Sequence, residues 1–479
     1  MVKFLLRNKI QTKKGTSMDI RITQLITNFI TEYVGIFEDC GRFTFESFES
    51  DLQRMGTEFF RRSMEVFPEL LDEQLLASKE ARKEAGITVH KRAVPREILS
   101  KFGMVNFKRT YFKTGEEYVF LTDKVVGLES YDRISPNVTA ELVDKAGYMS
   151  YQKSACETTD SYLSRQTVMN KIRRTKGLEL VLSEKKKEVK VLHVVADEDH
   201  VAMQSGKNRI VPLITVHEGI EYVSKRRNRC INARHFCNYD KSTKDLWDEV
   251  SAWMATEYEM DKVERIYLHG DGAQWIKQGL EVLPDCKFVL DKFHLKKAIK
   301  SVTGANKEEY SLQINEAFQD GDLKGFVETI DEMFTIVEDK NEAEDLGKFK
   351  NYILNQWDGI EIRQKEPRCG GSCTEAQISH VLAERLSRNP LGWSEEGLGY
   401  MSRLRVYKVN GGKVTTRNFV KKNEEKEQSE LEKLAILRTK QIFIETRNYD
   451  LFDVTSIRNG KATPINTILR GINKAGQVI

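Results

Sequence analysis

The sequence predicts an α/β protein with a mixed sheet and large helical additions. Between residues 186 and 302, short apolar runs rich in β-branched side chains alternate with amphipathic stretches at helical spacing. Residues 18–84 and 304–365 show helical spacing alone. A chain of 479 residues is too long for one ordinary core, so we expect several structural units. No apolar run approaches the roughly 20 residues of a membrane span. The apolar patch at residues 2–6 is too short and too soon interrupted for a signal peptide, so we expect a cytoplasmic protein.

The segment from residue 186 to 302 has a definite order of elements. We predict strands at 190–196, 209–216 and 221–225, then a helix at 242–258, a strand at 263–268, a helix at 273–281, a strand at 287–290 and a helix at 293–302. This order, β-β-β-α-β-α-β-α, is that of the ribonuclease H-like fold. A spacing of 104 positions separates Asp271 from Glu375. Because one strand and one helix need far fewer residues, a helical insertion is expected there.

Seven segments are expected along the whole chain. They are a helical N-terminal region (1–90), a small β hairpin unit (91–135), a helix-turn-helix domain (136–185), the first part of the sheet domain (186–302), a helical insertion (303–368), the second part of the sheet domain (369–410) and a basic C-terminal region (411–479). A turn at Thr114-Gly115 is expected in the hairpin unit. The stretch RLRVYKVNGGK is expected to be a final strand with a turn, and KKNEEKEQSELEKL a charged helix.

Residues 150–174 have the pattern of a helix-turn-helix. A first helix at 150–158 and a turn near 160–163 precede a second helix, which Ser164 caps and which runs to Arg174. In such motifs the second helix enters the major groove with its N-terminal residues toward the bases. This assigns Arg165, Gln166 and Asn170 to bases, and Lys171, Arg173 and Arg174 to phosphates. Ordinary helix pairs share the pattern, but nine lysines and arginines against three glutamates in residues 161–190 favour DNA.

Acidic residues after two of the expected strands are candidates for a metal site. Asp197 ends the first strand and Asp271 follows the fourth, and groups at the carboxyl ends of strands converge in an α/β sheet. Two carboxylates this close repel each other unless cations lie between them. Magnesium prefers such oxygen ligands, and a pair of ions assists in-line phosphoryl displacement. Gly270 and Gly272 are expected to leave room for a phosphate.

Two further residues bear on this site. Asp199 is the alternative first ligand, because residues two apart on a strand face the same way. Glu375, in the first turn of a helix capped by Ser372 or Thr374, is the candidate third carboxylate. Helix-start glutamates are common for electrostatic reasons alone, so its place in the order of elements is what favours it.

The segments ADEDHVAMQ, YLHGDGAQWI, DKFH and GGSCTEAQISHVLAERLS resemble the DDE transposases of bacterial insertion sequences, in a branch similar to the Mutator-like group. The resemblance covers roughly residues 90–410. It implies that Asp197, Asp271 and Glu375 hold two Mg²⁺ or Mn²⁺ ions, with Asp291 and His294 of a C/D-x-x-H signature lining the site. It also implies double-stranded DNA as partner, both as terminal inverted repeats and as target, and at least a dimer on paired ends.

Other interpretations share parts of these patterns. A ribonuclease H-like nuclease or resolvase would use the carboxylates without strand transfer, and a non-catalytic DNA-binding protein would bind DNA without cutting it. Seven cysteines without a framework spacing predict reduced thiols. Zinc sites are considered at His200 with His294, and at Cys369, Cys373 and His380. Neither set has the paired spacing typical of zinc.

Overall fold

The structure is a computed structural model, and it describes residues 17–37, 44–180, 182–224, 227–237, 239–304, 308–370, 373–388, 392–419 and 429–448. The chain divides into two compact units. One comprises Met1–Glu141, Cys156–Tyr162 and Lys422–Ile479, and the other comprises Leu142–Ala155 and Leu163–Lys421. No helix among the described residues is long and apolar enough to cross a membrane. The finer division into seven segments stays a prediction.

The first unit combines long helices with a small antiparallel sheet. Its helices are Ser17–Gly35, Phe45–Ala77, Lys79–Glu84, Leu121–Val125 and Glu430–Asn448, and its strands are β1 (Ile87–Ser100), β2 (Gly103–Thr114) and β3 (Glu117–Val119). The sheet starts four residues before the expected unit and has three strands instead of a hairpin. The expected turn after Thr114 joins β2 to the short β3, while the longer β1–β2 pair turns at residues 101–102. Buried Asp72 accepts hydrogen bonds from Thr110 and Thr122, which ties the long helix to the sheet.

A mixed five-stranded sheet forms the centre of the second unit. Its strands, with those of a separate hairpin, are β4 (Val191–Ala202), β5 (Asn208–His217), β6 (Ile220–Ser224), β7 (Arg227–Cys230), β8 (Arg234–Phe236), β9 (Arg265–Gly270) and β10 (Cys286–Leu290). The sheet order is β10-β9-β4-β5-β8. β5 is antiparallel to β4, whereas β9 is parallel to β4 and β10 is parallel to β9. If the five strands of this sheet are numbered 1 to 5 in chain order, their order across the sheet from β8 to β10 is 3-2-1-4-5.

The third strand of this sheet is not the one that the sequence predicts. The segment predicted at 221–225 does form a strand, β6, but β6 pairs only with β7 in a two-stranded hairpin. The side chains of β6 are mostly exposed, including the apolar ones of Tyr222 and Val223, so β6 does not pack on the core of the sheet. β8 takes the third place because its Phe236 packs into the core beneath the sheet. The prediction was wrong because local β character does not decide which strands pair.

The core lies between one face of the sheet and helices from two parts of the chain. Alternate residues of β4 face opposite sides, and Leu192, Val194 and Ala196 enter the main core. Helix Thr243–Glu257 packs there through Trp247, which is fully buried and donates to the backbone carbonyl of Trp275 at 2.8 Å. Two short helices, Gln274–Lys277 and Gly279–Val282, follow β9, and helix Lys292–Thr303 follows β10.

The segment expected as an insertion is helical, in four helices. They are Glu308–Asp320, Leu323–Ile336, Lys340–Asn355 and Trp357–Lys365. Their apolar faces join the main core of the sheet, through side chains that include Phe326, Ile330, Phe349 and Ile353. Since these side chains share one core with the sheet, the four helices brace the sheet and do not form a separate body.

The second half of the unit ends in helices, where a strand was expected. Residues 374–386 form one helical run with a π-helical centre, Ile378–Ala383. RLRVYKVNGGK begins inside helix Glu395–Val409, so the predicted final strand is wrong. Arg405 helps to hold this helix in place, because its buried guanidinium donates to the carbonyls of Val381, His380 and Gly147. Residues 421–428 of the expected charged helix lie outside the described residues.

Candidate functional site

Asp197 lies on the face of β4 that is turned away from the main core. β4 does not end there as expected, but continues to Ala202 paired only with β5, and Val195 is its last residue paired with β9. The carboxylate accepts a hydrogen bond from the backbone of Glu198 at 2.8 Å. Burial raises the pKa of Asp197 to about 6, and the charge of Asp271 adds to the rise. A buried carboxyl beside a second one is a favourable position for a cation.

Asp271 follows β9 directly and is held by a tight turn. Its Oδ1 accepts a hydrogen bond from Ala273 N at 2.8 Å, and its own carbonyl accepts one from the Tyr352 hydroxyl at 2.7 Å. Tyr352 belongs to helix Lys340–Asn355, so the inserted helices reach the site. The backbone around Asp271 is therefore fixed from two sides.

The two glycines that flank Asp271 have a different role from the one predicted. A Cβ on Gly270 would lie 2.9 Å from the side chain of Ile276 and 3.0 Å from the carbonyl of Ala196. Gly272 has a φ of +90°, which favours glycine, and a Cβ there would meet Gln356 at 2.5 Å. Close protein packing and backbone conformation account for both glycines, rather than room for a phosphate.

Asp291 and His294 form a linked pair at the end of β10. Asp291 caps helix Lys292–Thr303, and its Oδ2 accepts from the backbone of Phe293 at 3.0 Å and of His294 at 3.4 Å. The His294 ring lies between two carboxylates, with Nδ1 3.3 Å from Asp291 and Nε2 3.9 Å from Asp197. Its bond to Asp291 and the charge of Asp197 raise the pKa of His294. The same contacts hold the pKa of Asp291 below its usual value despite burial.

Thr374 brings the helix of the candidate third carboxylate to the same edge of the sheet. Its buried hydroxyl donates to Asp291 Oδ1 at 3.1 Å. Glu375 is the next residue, and its backbone lies in helix Thr374–Gln377. The Glu375 side chain lies outside the described residues, so its part in the site stays a prediction. Nothing in the sequence marks Thr374 beyond its position as a helix cap.

Asp199, the alternative first ligand, has a different environment from Asp197. It lies on the same face of β4 and is buried, which raises its pKa. Its Oδ1, however, accepts a hydrogen bond from the Ser387 hydroxyl at 2.9 Å. Asp197 faces His294 and Asp271 instead, so the structure brings Asp197, Asp271, Asp291 and His294 together and leaves Asp199 with Ser387.

The expected helix-turn-helix has both its helices, Tyr151–Thr158 and Arg165–Arg173. Ser164 caps the second helix by accepting from Thr167 N, as predicted. The three residues assigned to bases, Arg165, Gln166 and Asn170, are exposed, and so is Arg174. Lys171 is buried and Arg173 pairs with Glu396 at 2.9 Å. These two side chains do not offer the exposed cations that a phosphate contact needs, because one helix face packs into the core through Val168 and Ile172.

A row of buried histidines on the same sheet face was missed by sequence reasoning. It comprises His269 on β9, His193 on β4, His217 on β5 and His235 on β8. The rings of His193 and His217 stack at 5.1 Å, and His193 Nδ1 lies 3.3 Å from His269 Nε2. Burial lowers the pKa of each, to about 4 for His193 and His235 and about 3 for His217. The available signal was a histidine at an inward position of four apolar strands.

Two cysteines far apart in the sequence meet beside this row. Cys230 and Cys373, separated by 143 positions, are joined as a disulfide. The structure differs here from the prediction of reduced thiols, since only the folded chain brings β7 and helix Thr374–Gln377 together. Cys237 is a buried thiol as expected, and burial raises its pKa to about 12. Cys369 packs with Tyr267 and Val289, so the zinc set considered with Cys373 and His380 is not formed.

The donor set at the sheet edge suits a hard divalent cation. Mg²⁺ and Mn²⁺ bind carboxylate oxygens, and Asp197 and Asp271 supply them from neighbouring strands. Burial is the main cause of the raised pKa of Asp197, and a bound cation would favour the charged carboxylate. Nε2 of His294 lies 3.9 Å from Oδ1 of Asp197 and lowers the pKa of Asp197 only in part. The residues present therefore fit the cation that the sequence predicts.

Residues 40–423 match the model of a family described as "Uncharacterised protein family (UPF0236)". The chain belongs to the UPF0236 family. Two UPF0236 proteins of Caldanaerobacter subterraneus subsp. tengcongensis are each 34% identical to it, over 473 and 468 residues. These alignments cover 98% and 96% of the chain and 100% of each relative. A UPF0236 protein in the vanSb 3′ region of Streptococcus gallolyticus is 25% identical over 379 residues, which cover 76% of the chain and 82% of that protein.

Proposed function

We propose that this protein is a DDE transposase of a bacterial insertion sequence, with a ribonuclease H-like catalytic domain and Mutator-like affinity. One observation carries the proposal. Asp197, Asp271, Asp291 and His294 meet at one edge of a five-stranded sheet whose order is 3-2-1-4-5 and whose second strand is antiparallel. That topology, with acidic residues on the first and fourth strands, is what the ribonuclease H-like fold requires.

The chemistry assigned to the site is phosphoryl transfer. Asp197, Asp271 and Glu375 would hold two Mg²⁺ or Mn²⁺ ions, which supply activation of the attacking oxygen and stabilisation of the leaving one. Water attacks a phosphodiester at the element end, so that one P–O bond forms, another breaks and a 3′ hydroxyl leaves. That hydroxyl then attacks a target phosphate in the same way. The contact with Asp291 raises the pKa of His294 and so favours its protonated form, whose Nε2 lies 3.9 Å from Asp197.

Names of the relatives support a mobile element. One relative's name joins eleven locus designations of a single strain, and another joins four. A gene carried at many loci of one genome is the expected product of repeated transposition. This support is independent of the site geometry, because it comes from copy number alone.

Recognition of terminal inverted repeats is assigned to helix Arg165–Arg173. Its exposed Arg165, Gln166 and Asn170 are the base-reading candidates, with Arg174 for phosphate. Replacement of Arg174 by Gln should weaken binding to all sequences and lower the salt slope by about one. Replacement of Gln166 by Ala should instead reduce the preference for the element end over random DNA. Equal effects of both changes on every DNA would contradict the assignment.

Cleavage of a labelled element end in the presence of Mg²⁺ tests the enzymatic proposal. The wild-type chain should nick it, and Asp271→Asn and Glu375→Gln should abolish nicking. Asp261→Asn is the matched control, because Asp261 is an exposed acid in the turn before β9. Full activity of Asp271→Asn would overturn the proposal.

A strand-transfer assay separates the proposal from its rivals. A transposase joins the labelled end to a target plasmid, whereas a ribonuclease H-like nuclease or resolvase cuts without joining. A non-catalytic DNA-binding protein retards the DNA in a gel and does neither. The proposed transposase also pairs two ends, so light scattering of the DNA complex should show at least a dimer.

A further inference from the structure

A second group of ligand-type side chains lies outside the carboxylate site. His217 ends β5, Cys230 ends β7, and Cys373 precedes helix Thr374–Gln377. One ligand atom from each lies within 4.8 Å of the other two. We propose that His217, Cys230 and Cys373, with both cysteines reduced, form a binding site for a soft divalent metal ion such as Zn²⁺.

The surroundings of His217 are those of a metal-binding histidine. The side chain is fully buried, and its Nε2 has no hydrogen-bond partner. Its Nδ1 lies 3.0 Å from the carbonyl of Gly219 and 3.2 Å from the backbone nitrogen of the same residue. Donation from Nδ1 to that carbonyl leaves the lone pair on Nε2, the arrangement that metal-bound histidines use. A buried nitrogen left without a partner otherwise costs about 1–3 kcal/mol.

The protonation state of His217 suits a ligand as well. Burial lowers its pKa to about 3, so the ring is neutral throughout the physiological range. Only a neutral imidazole offers a nitrogen lone pair to a metal. Neither Asp197 nor Asp271 belongs to the group, which separates it from the carboxylate site.

The two sulfurs are arranged as thiolate ligands would be. The side-chain nitrogen Nε2 of Gln377 donates to Cys230 Sγ at 3.3 Å and to Cys373 Sγ at 3.7 Å, so one amide group contacts both sulfurs. Donors of this kind stabilise the negative charge of metal-bound thiolates. The Cα atoms are 7.6 Å apart, wider than the usual span of a disulfide, and two thiolates on a shared ion need no closer approach.

Two thiolates and one imidazole select the class of metal. Zn²⁺ binds such ligands tetrahedrally, whereas Mg²⁺ prefers oxygen. Three protein ligands leave one tetrahedral position for water. The ion would tie together β5, the β6–β7 hairpin and helix Thr374–Gln377. This helix also contains Glu375. Any effect of the ion on the position of Glu375 matters only if the proposed function holds, whereas the metal site itself does not depend on that function.

Cobalt substitution tests the site without any DNA or activity. The tag-free full chain is reduced, stripped with a chelator and titrated with Co²⁺ under nitrogen. We expect a thiolate-to-cobalt charge-transfer band and visible tetrahedral bands that saturate at one equivalent, and both should vanish on addition of Zn²⁺. A reduced wild-type chain that develops neither band overturns the proposal, whatever the variants do.

Variants assign the ligands. Cys230→Ser, Cys373→Ser and His217→Gln should each lose most of the charge-transfer intensity or weaken Co²⁺ binding at least about tenfold. Cys156→Ser, at an exposed cysteine outside the group, should retain the full spectrum. If a variant fails to fold by circular dichroism, the other two and the wild-type titration still decide. Bands that persist in folded Cys230→Ser and Cys373→Ser variants would contradict the assignment.

The state of the cysteines in cells supplies a second test. Rapid alkylation in a reducing bacterial host, followed by peptide mass spectrometry, should find both cysteines as thiols and the purified protein with bound zinc. A disulfide-linked peptide under these conditions, with no zinc in the protein, overturns the proposal. Neither result depends on cleavage of DNA, so failure here leaves the proposed transposase untouched.

Discussion

Two regions of one sheet face treat histidine in opposite ways. In the buried row, burial lowers the pKa of His193 to about 4. At the carboxylate site, His294 is also largely buried, yet its bond to Asp291 and the charge of Asp197 raise its pKa. His193 and Asp197 are only four residues apart on β4. The difference shows that nearby charge, and not burial alone, decides whether this face holds neutral or charged groups.

The same contrast explains the two metal chemistries proposed. The carboxylate site concentrates carboxylate oxygen atoms where β9 and β10 end beside β4, so it suits a hard cation that compensates charge. The histidine row is neutral and dry, and beside it lie sulfur atoms and a nitrogen lone pair that suit a softer ion. A single sheet face therefore offers two kinds of site because its charged partners are unevenly distributed.

The largest expected effect is the difference in cleavage rate between variants of the two aspartates of β4. Asp197→Asn should lower Mg²⁺-dependent cleavage at least about 1,000-fold, roughly 4 kcal/mol of activation free energy, because it removes a metal ligand. Asp199→Asn should lower it far less, since that residue bonds to Ser387. Single-turnover cleavage at saturating DNA measures both. Equal losses would mean that the contrast between the two residues has no functional meaning.

Removal of the charged histidine should have the next largest effect. His294→Gln keeps a polar side chain but loses the positive charge near Asp197, so cleavage should fall about 10–100-fold. A higher Mg²⁺ concentration should restore part of the rate, because the cation replaces the missing charge. His200→Gln is the control, because His200 is an exposed histidine on β4, the strand that carries Asp197. A loss that Mg²⁺ does not alter at all would assign His294 a purely structural role.

The histidine row should make stability depend on pH. Unfolded histidine binds a proton below about pH 6.5, whereas His235 stays neutral in the fold down to about pH 4. Stability is therefore full above about pH 6.5 and falls as the pH decreases toward about 4, by about 2 kcal/mol per histidine at pH 5. Urea unfolding at pH 7 and pH 5 measures it. His235→Gln should remove the part of this pH dependence that His235 contributes, and His200→Gln should leave the dependence unchanged.

The smallest expected effect concerns the hydroxyl that joins Thr374 to Asp291. Thr374→Val removes this hydrogen bond in a buried place, which should cost about 1 kcal/mol of unfolding free energy. Thr374→Ser keeps the hydroxyl and should stay near wild type. Thermal unfolding monitored by circular dichroism compares them. Identical stability of all three proteins would show that the contact contributes nothing to the position of this helix.

Local patterns were enough to predict much of the sheet domain. Apolar runs located β5, β9 and β10 within two residues and the start of β4 within one, although β4 continues six residues beyond its predicted end. The amphipathic helix at Thr243–Glu257 followed from its spacing. Asp271 and Asp291 follow strands, so their meeting at one edge was predictable once the strands were known. Other features were not predictable in this way. RLRVYKVNGGK has the composition of a strand, but the carbonyls that receive Arg405 come from residues distant in the chain.

By itself, the sequence determined where most strands and helices of the sheet domain form and which carboxylates lie at their ends, because side-chain periodicity acts over a few neighbouring residues. Only the tertiary structure decided that β8 and not β6 completes the sheet, that Thr374 meets Asp291, and that His217 lies beside Cys230 and Cys373. These outcomes depend on contacts between residues up to 156 positions apart, between His217 and Cys373. No local pattern encodes such contacts, since they arise from the packing of the whole unit around one core.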